Sequence, residues 1–421
     1  MIETITLSPG VTLRGVRDSR FKQGAFSIQL IRPMCDAEAA QNALLPAVLL
    51  RGTRRCPDLR SITRQLDDLY GASLSPLVRR IGDCQTTGLY GSFMDDRFAL
   101  PGDRVLERIT AFAREVLLDS PLEEGGFLPE FVEGEKENLI SAIESEQNDK
   151  RAYSMGKLLE AMCRGDSFGI PRLGRPEQVE AIDAGSLRAH YEKILLESSV
   201  EIFYVGSAPV EKAAECFRQL LAGLPGNRAA LPPQLPLKPG AKSDLTEVQD
   251  VAQGHLCMGF ASPITNRDPA FPAMQVLCTL YGGGMTSKLF QNLRERQSLC
   301  YSVSSGYYGA KGIMTVYAGI DPATEDAARE EISHQLALCR AGEITPGELT
   351  AAREAIVSSL RAVHDSPGAI EGYYATAALS GMGLTPGEYA RAVNAVTAED
   401  AAAAARSLEM HTTYFLKGEC Q

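Results

Sequence analysis

The sequence predicts an α+β fold built from two similar halves joined by a proline-rich linker. Three observations carry that prediction. Segments whose apolar residues recur at helical spacing alternate with short runs of period two, the mixed pattern of helices and half-buried strands. Between Pro225 and Pro239 stand five prolines and no helical period, the composition of a semi-rigid connector. After it the order begins again. Gln23–Pro33 (QGAFSIQLIRP) is echoed by Gln253–Pro263 (QGHLCMGFASP), Leu66–Ser73 by Leu293–Ser302, and Phe203–Gly206 by Phe415–Gly418. These echoes keep their order at offsets of 230, 227 and 212 residues, which predicts a duplicated domain and not a solenoid of three or more units. The boundaries expected are an N-terminal domain at 1–224, a linker at 225–244 and a C-terminal domain at 245–421.

The elements follow in order. Residues 1–20 read as strands, and Ala25–Arg32 as another. Asp36 is placed to cap a helix of small and apolar residues reaching about Leu50. Leu59–Leu69 is a second helix, stopped by Tyr70-Gly71, and strands occupy Ser73–Phe93. A helix runs from Gly102 to about Leu117. A long Glu-rich helical region covers Phe131–Met162, with a break expected near Asn148-Asp149. Ser186–Ile194 is helical, Val200–Val205 a buried strand, and 210–222 a helix. In the second half, Thr397 caps an alanine-rich helix from Ala398 to Ala405.

At 421 residues the chain exceeds one ordinary core, and its 44% hydrophobic and 23% charged content is that of a globular protein. A net charge of −11 argues against a nucleic-acid surface, and the basic runs Arg51–Arg55 and Arg79–Arg80 read as solvated turns. No basic-then-apolar leader opens the chain, and no window reaches the roughly 20 apolar residues that span a bilayer. Ten scattered cysteines without a CxxC fit reduced thiols, so a cytoplasmic location is expected.

The richest stretch is Leu280–Val303, LYGGGMTSKLFQNLRERQSLCYSV. Gly282, Gly283 and Gly284 supply a permissive turn. Met285, Leu289, Phe290 and Leu293 then recur at helical spacing, and the period changes to two after Gln297. A phosphate cradle is excluded, because a P-loop needs Gly-Lys-Ser/Thr and here the order is Met285-Thr286-Ser287-Lys288. A turn between Arg294 and Tyr301 would fold the strand back along the helix and bring the two side chains together.

This stretch resembles the C-terminal-half signature of the pitrilysin/insulinase metallopeptidases, especially the processing-peptidase-like group. The resemblance rests on the Gly-rich turn, Ser287-x-Leu289-Phe290, Leu293-Arg294-Glu295 and Tyr301-Ser302-Val303. It is supported by the duplication and by Phe168-Gly169-Ile170-Pro171 through Gly174-Arg175-Pro176-Glu177. It implies two homologous domains, each an antiparallel sheet with helices packed mainly on one face, enclosing a chamber. It also implies a zinc site, H-x-x-E-H on the first core helix with a later carboxylate ligand. Two imidazoles one turn apart hold the metal, and the Glu takes a proton from its water.

Counting back from the triplet Arg51-Gly52-Thr53 places the three motif positions at Ala43, Pro46 and Ala47, none of which can bind zinc or carry a proton. No histidine precedes His190, so no shifted alignment restores the site. Glu135 best matches the third ligand. At Leu74-Ser75-Pro76 the family's substrate-receiving edge strand meets a proline, which removes a backbone donor. Arg294 and Tyr301 match the pair that in active members closes over the substrate backbone and steadies the scissile carbonyl. His190, His255, His334, His364 and His411 show no ligand spacing and read as packing or surface residues, and Cys300 as a buried thiol on the strand face opposite Tyr301.

The expectation is therefore a non-catalytic homologue working as partner of an active zinc-bearing paralogue, contributing chamber wall and a substrate clamp, with zinc only in that partner. It would act as a heterodimer with the paralogue, or as a homodimer, on a peptide substrate, without nucleic acid or membrane. The alternatives are a non-enzymatic peptide-binding or assembly scaffold and, further off, an autonomous zinc endopeptidase.

Overall fold

The computed structural model describes residues 2–418 apart from 124, 223, 225–227, 229, 232, 233, 239 and 240. The expected linker at 225–244 thus lies partly outside the described residues. Thirteen strands are described: β1 Ile2–Ser8, β2 Val11–Arg17, β3 Gln23–Pro33, β4 Ser73–Ile81, β5 Cys84–Met94, β6 Leu122–Glu123, β7 Gly126–Phe127, β8 Ser199–Gly206, β9 Ser243–Val248, β10 Gly254–Ala261, β11 Cys300–Tyr308, β12 Ile313–Ile320 and β13 Glu409–Lys417. The chain forms two units. One holds Met1–Glu144, Ile170–Pro233 and His364–Thr376; the other holds Ser145–Gly169, Gln234–Val363 and Ala377–Gln421.

In the first unit the sheet runs β1-β2-β8-β3-β5-β4; in the second it runs β11-β12-β10-β13-β9. Reading the second in reverse gives the same plan without the β1 strand. β10 takes the place of β3, β13 that of β8, and β11 that of the edge strand β4. Even the exception is repeated, since β2 pairs β8 in parallel and β9 pairs β13 in parallel while the other pairs are antiparallel. The three sequence echoes fall on β3 and β10, on the turns entering β4 and β11, and on the ends of β8 and β13. Mixed sheets of mainly antiparallel pairs bearing helices give the expected α+β class.

Alternation decides the two faces of β3. Phe26, Ile28 and Leu30 enter the main core with Leu44, Val48, Ile109, Phe112, Leu187 and Phe217 from four flanking helices. Ser27 and Gln29 point the other way and are also buried. The long helical region breaks where expected, into Pro129–Asn148 and Lys150–Met162, because the Asp149 side chain accepts from the amides of Arg151 and Ala152 and starts a new helix. The alanine-rich helix Ala398–Arg406 is likewise closed by a capping box of Thr397 with Asp400.

Three local expectations are corrected. The first core helix spans Ala39–Leu49 behind Glu38, with no side-chain cap; Asp36 is engaged instead with Arg175 and Gln178. Arg79 and Arg80 are not turn residues but lie within β4, where Arg79 meets the Glu371 carboxylate and Arg80 donates to the Ile170 carbonyl. Met285 is 73% exposed and so does not belong to the apolar face of its helix, which Leu289 and Leu293 bury.

Candidate functional site

The first unit carries the positions where a metal motif was sought. Ala43, Pro46 and Ala47 lie on the helix Ala39–Leu49, with Ala43 and Pro46 buried. Their side chains offer no donor atom. Glu135, on the helix Pro129–Asn148, is held by an arginine: Arg51 Nη1 donates to its carboxylate at 3.1 Å, and Asn138 donates at 3.1 Å. The Arg51 guanidinium also lies 5.7 Å from the Phe131 ring centre. Among the described residues no group of three or more His, Cys, Asp or Glu is arranged to hold a metal ion. The residues present therefore do not fit the zinc that the resemblance implies, and Glu135 is neutralised by Arg51 in its place.

Behind the same helix sits a buried polar chain that composition does not reveal. His190 and Asn42 share a 2.7 Å hydrogen bond, Asn42 donates to Gln85 at 2.9 Å, and Gln85 donates to the carbonyls of Ala39 and Arg172. Thr87 closes it with a bond to the Asn42 carbonyl at 2.7 Å. Burial lowers the His190 pKa to about 4, so the imidazole is neutral and packs, as its lack of a ligand partner predicted. The chain fixes the helix Ala39–Leu49 against β5 by directional bonds. Pro76 lies in β4, an edge strand of its sheet, where a missing donor is tolerated.

The second unit carries Arg294 and Tyr301. Residues Phe290–Arg296 are wound as a π-helix, with the Gln297 amide reaching back five residues to the Asn292 carbonyl. Its end is a tight left-handed turn. Ser298 takes φ 52°, its amide bonds to the Arg294 carbonyl at 3.1 Å, and the Leu299 amide bonds to the Leu293 carbonyl at 2.8 Å. The first unit makes a similar turn from Leu66 to Ala72, with Tyr70 at φ 62°, Gly71 at φ 68° and the Ala72 amide on the Leu66 carbonyl at 3.1 Å. Where the second unit has Arg294 accepting from Ser298, the first has Asp67 accepting from Gly71 at 3.3 Å.

Tyr301 enters β11 as the extra residue of a β-bulge, because Cys300 faces Ile320 and Ser302 already faces Gly319. β11 is an edge strand, and a bulge there re-aims a side chain. Tyr301 is 66% exposed while Cys300 beside it is buried and its thiol pushed up to about 11 by desolvation. The Arg294 guanidinium stands 4.7 Å over the Phe290 ring, close enough to Cys300 to act on its charge, with Glu295 no nearer than 3.9 Å. An arginine on a distorted helix and a tyrosine on a bulged edge thus flank one turn. Both present donors to solvent.

Comparison with known proteins places this architecture. A family profile described as "Peptidase M16 inactive domain" matches residues 181–356. A Bacillus subtilis protein named "Probable inactive metalloprotease YmfF" is 26% identical over 416 residues, covering 97% of this chain and 96% of its own. A second protein of that bacterium, "Uncharacterized zinc protease YmxG", is 25% identical over 313 residues, covering 72% of this chain and 74% of its own. Among solved structures, a conserved protein from Enterococcus faecalis superposes with a TM-score of 0.92 at 27% identity, over 100% of this chain and 99% of that one.

Proposed function

The chain belongs to the pitrilysin/insulinase peptidase family without its inverted zinc motif, and from that premise we propose that it is the partner subunit of a zinc-bearing relative. In this reading it contributes chamber wall and a substrate clamp, and the relative contributes the metal and its activated water. The clamp is Arg294 with Tyr301. A guanidinium and a phenol hydroxyl both donate, so together they hold a peptide backbone and steady the negative charge that gathers on the scissile carbonyl oxygen. The reading is carried by one observation. The chain keeps two exposed donors on a π-wound helix end and a bulged edge strand, while its own motif positions hold no metal ligand. The reading is supported by Bacillus subtilis holding both a relative named inactive and one named a zinc protease.

The test is hydrolysis of an unstructured peptide by the zinc-bearing relative from the same cell, with and without this chain. The parent chain raises kcat/KM, and Arg294→Ala or Tyr301→Phe removes most of the rise while still binding the relative. Equal stimulation by parent and Arg294→Ala refutes the clamp and leaves a scaffold.

A further inference from the structure

Each unit is assembled from both halves of the chain. Residues 145–169 precede the linker yet belong with the second sheet, and 364–376 follow the linker yet belong with the first. The two insertions land on equivalent ground. In the second unit the helix Lys150–Met162 covers the face of β10 that carries Cys257 and Gly259. Leu158 is fully buried with Cys257, Tyr317, Tyr414 and Leu416, and a Cβ on Gly259 would come within 2.6 Å of the Met162 sulfur. In the first unit residues 367–376, the larger part of the helix Pro367–Ser380, cover the face of β3 that carries Ser27 and Gln29. The same offset of 230 residues that aligned the two strands maps Ser27 onto Cys257 and Gln29 onto Gly259.

The contact in the first unit is polar and that in the second unit apolar. Glu371 is 1% exposed and its carboxylate takes a bidentate pair from Arg79 at 2.9 and 2.8 Å, with Ser27 at 2.6 Å and Gln29 at 3.1 Å. Withdrawing the helix would break the charge-assisted bonds that Ser27, Gln29 and Arg79 make to the Glu371 carboxylate. Withdrawing Lys150–Met162 would open an apolar face of Cys257, Tyr317 and Leu416.

We infer that the two helices are reciprocal straps, so that the stretches before and after the linker are obligate partners and remain associated when the linker is cut. The strap does not depend on any zinc-bearing relative, and its test is independent of one. A protease sequence is placed between Ala222 and Ser243 of the full chain, and the folded protein is cut there and run on a sizing column. The two pieces co-elute at the position of the uncut 45.4 kDa chain and separate only in denaturant. Glu371→Gln, which keeps the side-chain shape, and Leu158→Asp each lower the denaturant concentration at which the cut pieces part, and the uncut variants are checked for native circular dichroism. Pieces of the parent that separate in native buffer overturn the inference. So do cut Glu371→Gln and Leu158→Asp proteins that hold together as firmly as the parent.

Discussion

Arg51 and Asn138 both donate to the Glu135 carboxylate, and Arg51 supplies the charge that balances it. Its guanidinium neutralises Glu135, whose side chain is only 13% exposed, so removing the arginine leaves a carboxylate with little water around it. Arg51→Ala is expected to cost about 1–3 kcal/mol in urea unfolding, and adding Glu135→Ala recovers part of that loss. His190 supplies a pH signature. Burial holds its folded pKa below the ordinary 6.5, at about 4, so the unfolded chain binds the extra proton in that window. Its contribution is fully present above about pH 6.5 and is lost as pH falls toward about 4, up to about 3 kcal/mol. Urea midpoints measured across that range should slope for the parent and flatten for His190→Gln. Neither residue was readable in these roles, because each acts through a partner distant in sequence, 84 residues for Arg51 and 148 for His190. Glu371, which meets Arg79 across 292 residues, was missed for the same reason. Arg294 and Tyr301 could be singled out as candidates because one contiguous motif carries both.

At the scale of elements, the turn before each edge strand explains why one stretch stood out. Ser298 sits at φ 52°, a conformation that strains a residue bearing Cβ. Ser298→Gly is expected to raise stability by up to about 1 kcal/mol, and Ser298→Val to lower it by a similar or larger amount, read as shifts in thermal midpoint. The valine variant should also weaken any stimulation of a zinc-bearing relative, since the turn sets the angle between Arg294 and Tyr301. Local chemistry made many elements legible. Asn148-Asp149 marked a helix break because Asp149 is a good cap, and Tyr70-Gly71 marked a stop because glycine accepts the left-handed turn. Met285 misled because its spacing matches the buried face, but it precedes the helix that Leu289 and Leu293 anchor. Asp36 misled because an available partner, Arg175, outcompetes the helix end for it.

At the scale of the molecule, duplication was legible from three short echoes because each falls on a sheet element that the plan requires in both copies. The exchange of helices was not legible. It places residues 145–169 and 364–376 by tertiary contacts that leave no period in the sequence. The duplicated plan also frames the central claim, that the second copy keeps its donors for use where the first has lost its metal ligands. The direct test is to titrate the chain into a zinc-bearing relative from the same cell and follow peptide hydrolysis, with zinc measured in each purified component. A rate that rises and saturates with the chain, and no chelator-sensitive hydrolysis by the chain alone, is the predicted result. Stoichiometric zinc in the chain with chelator-sensitive hydrolysis in the absence of any relative would contradict it.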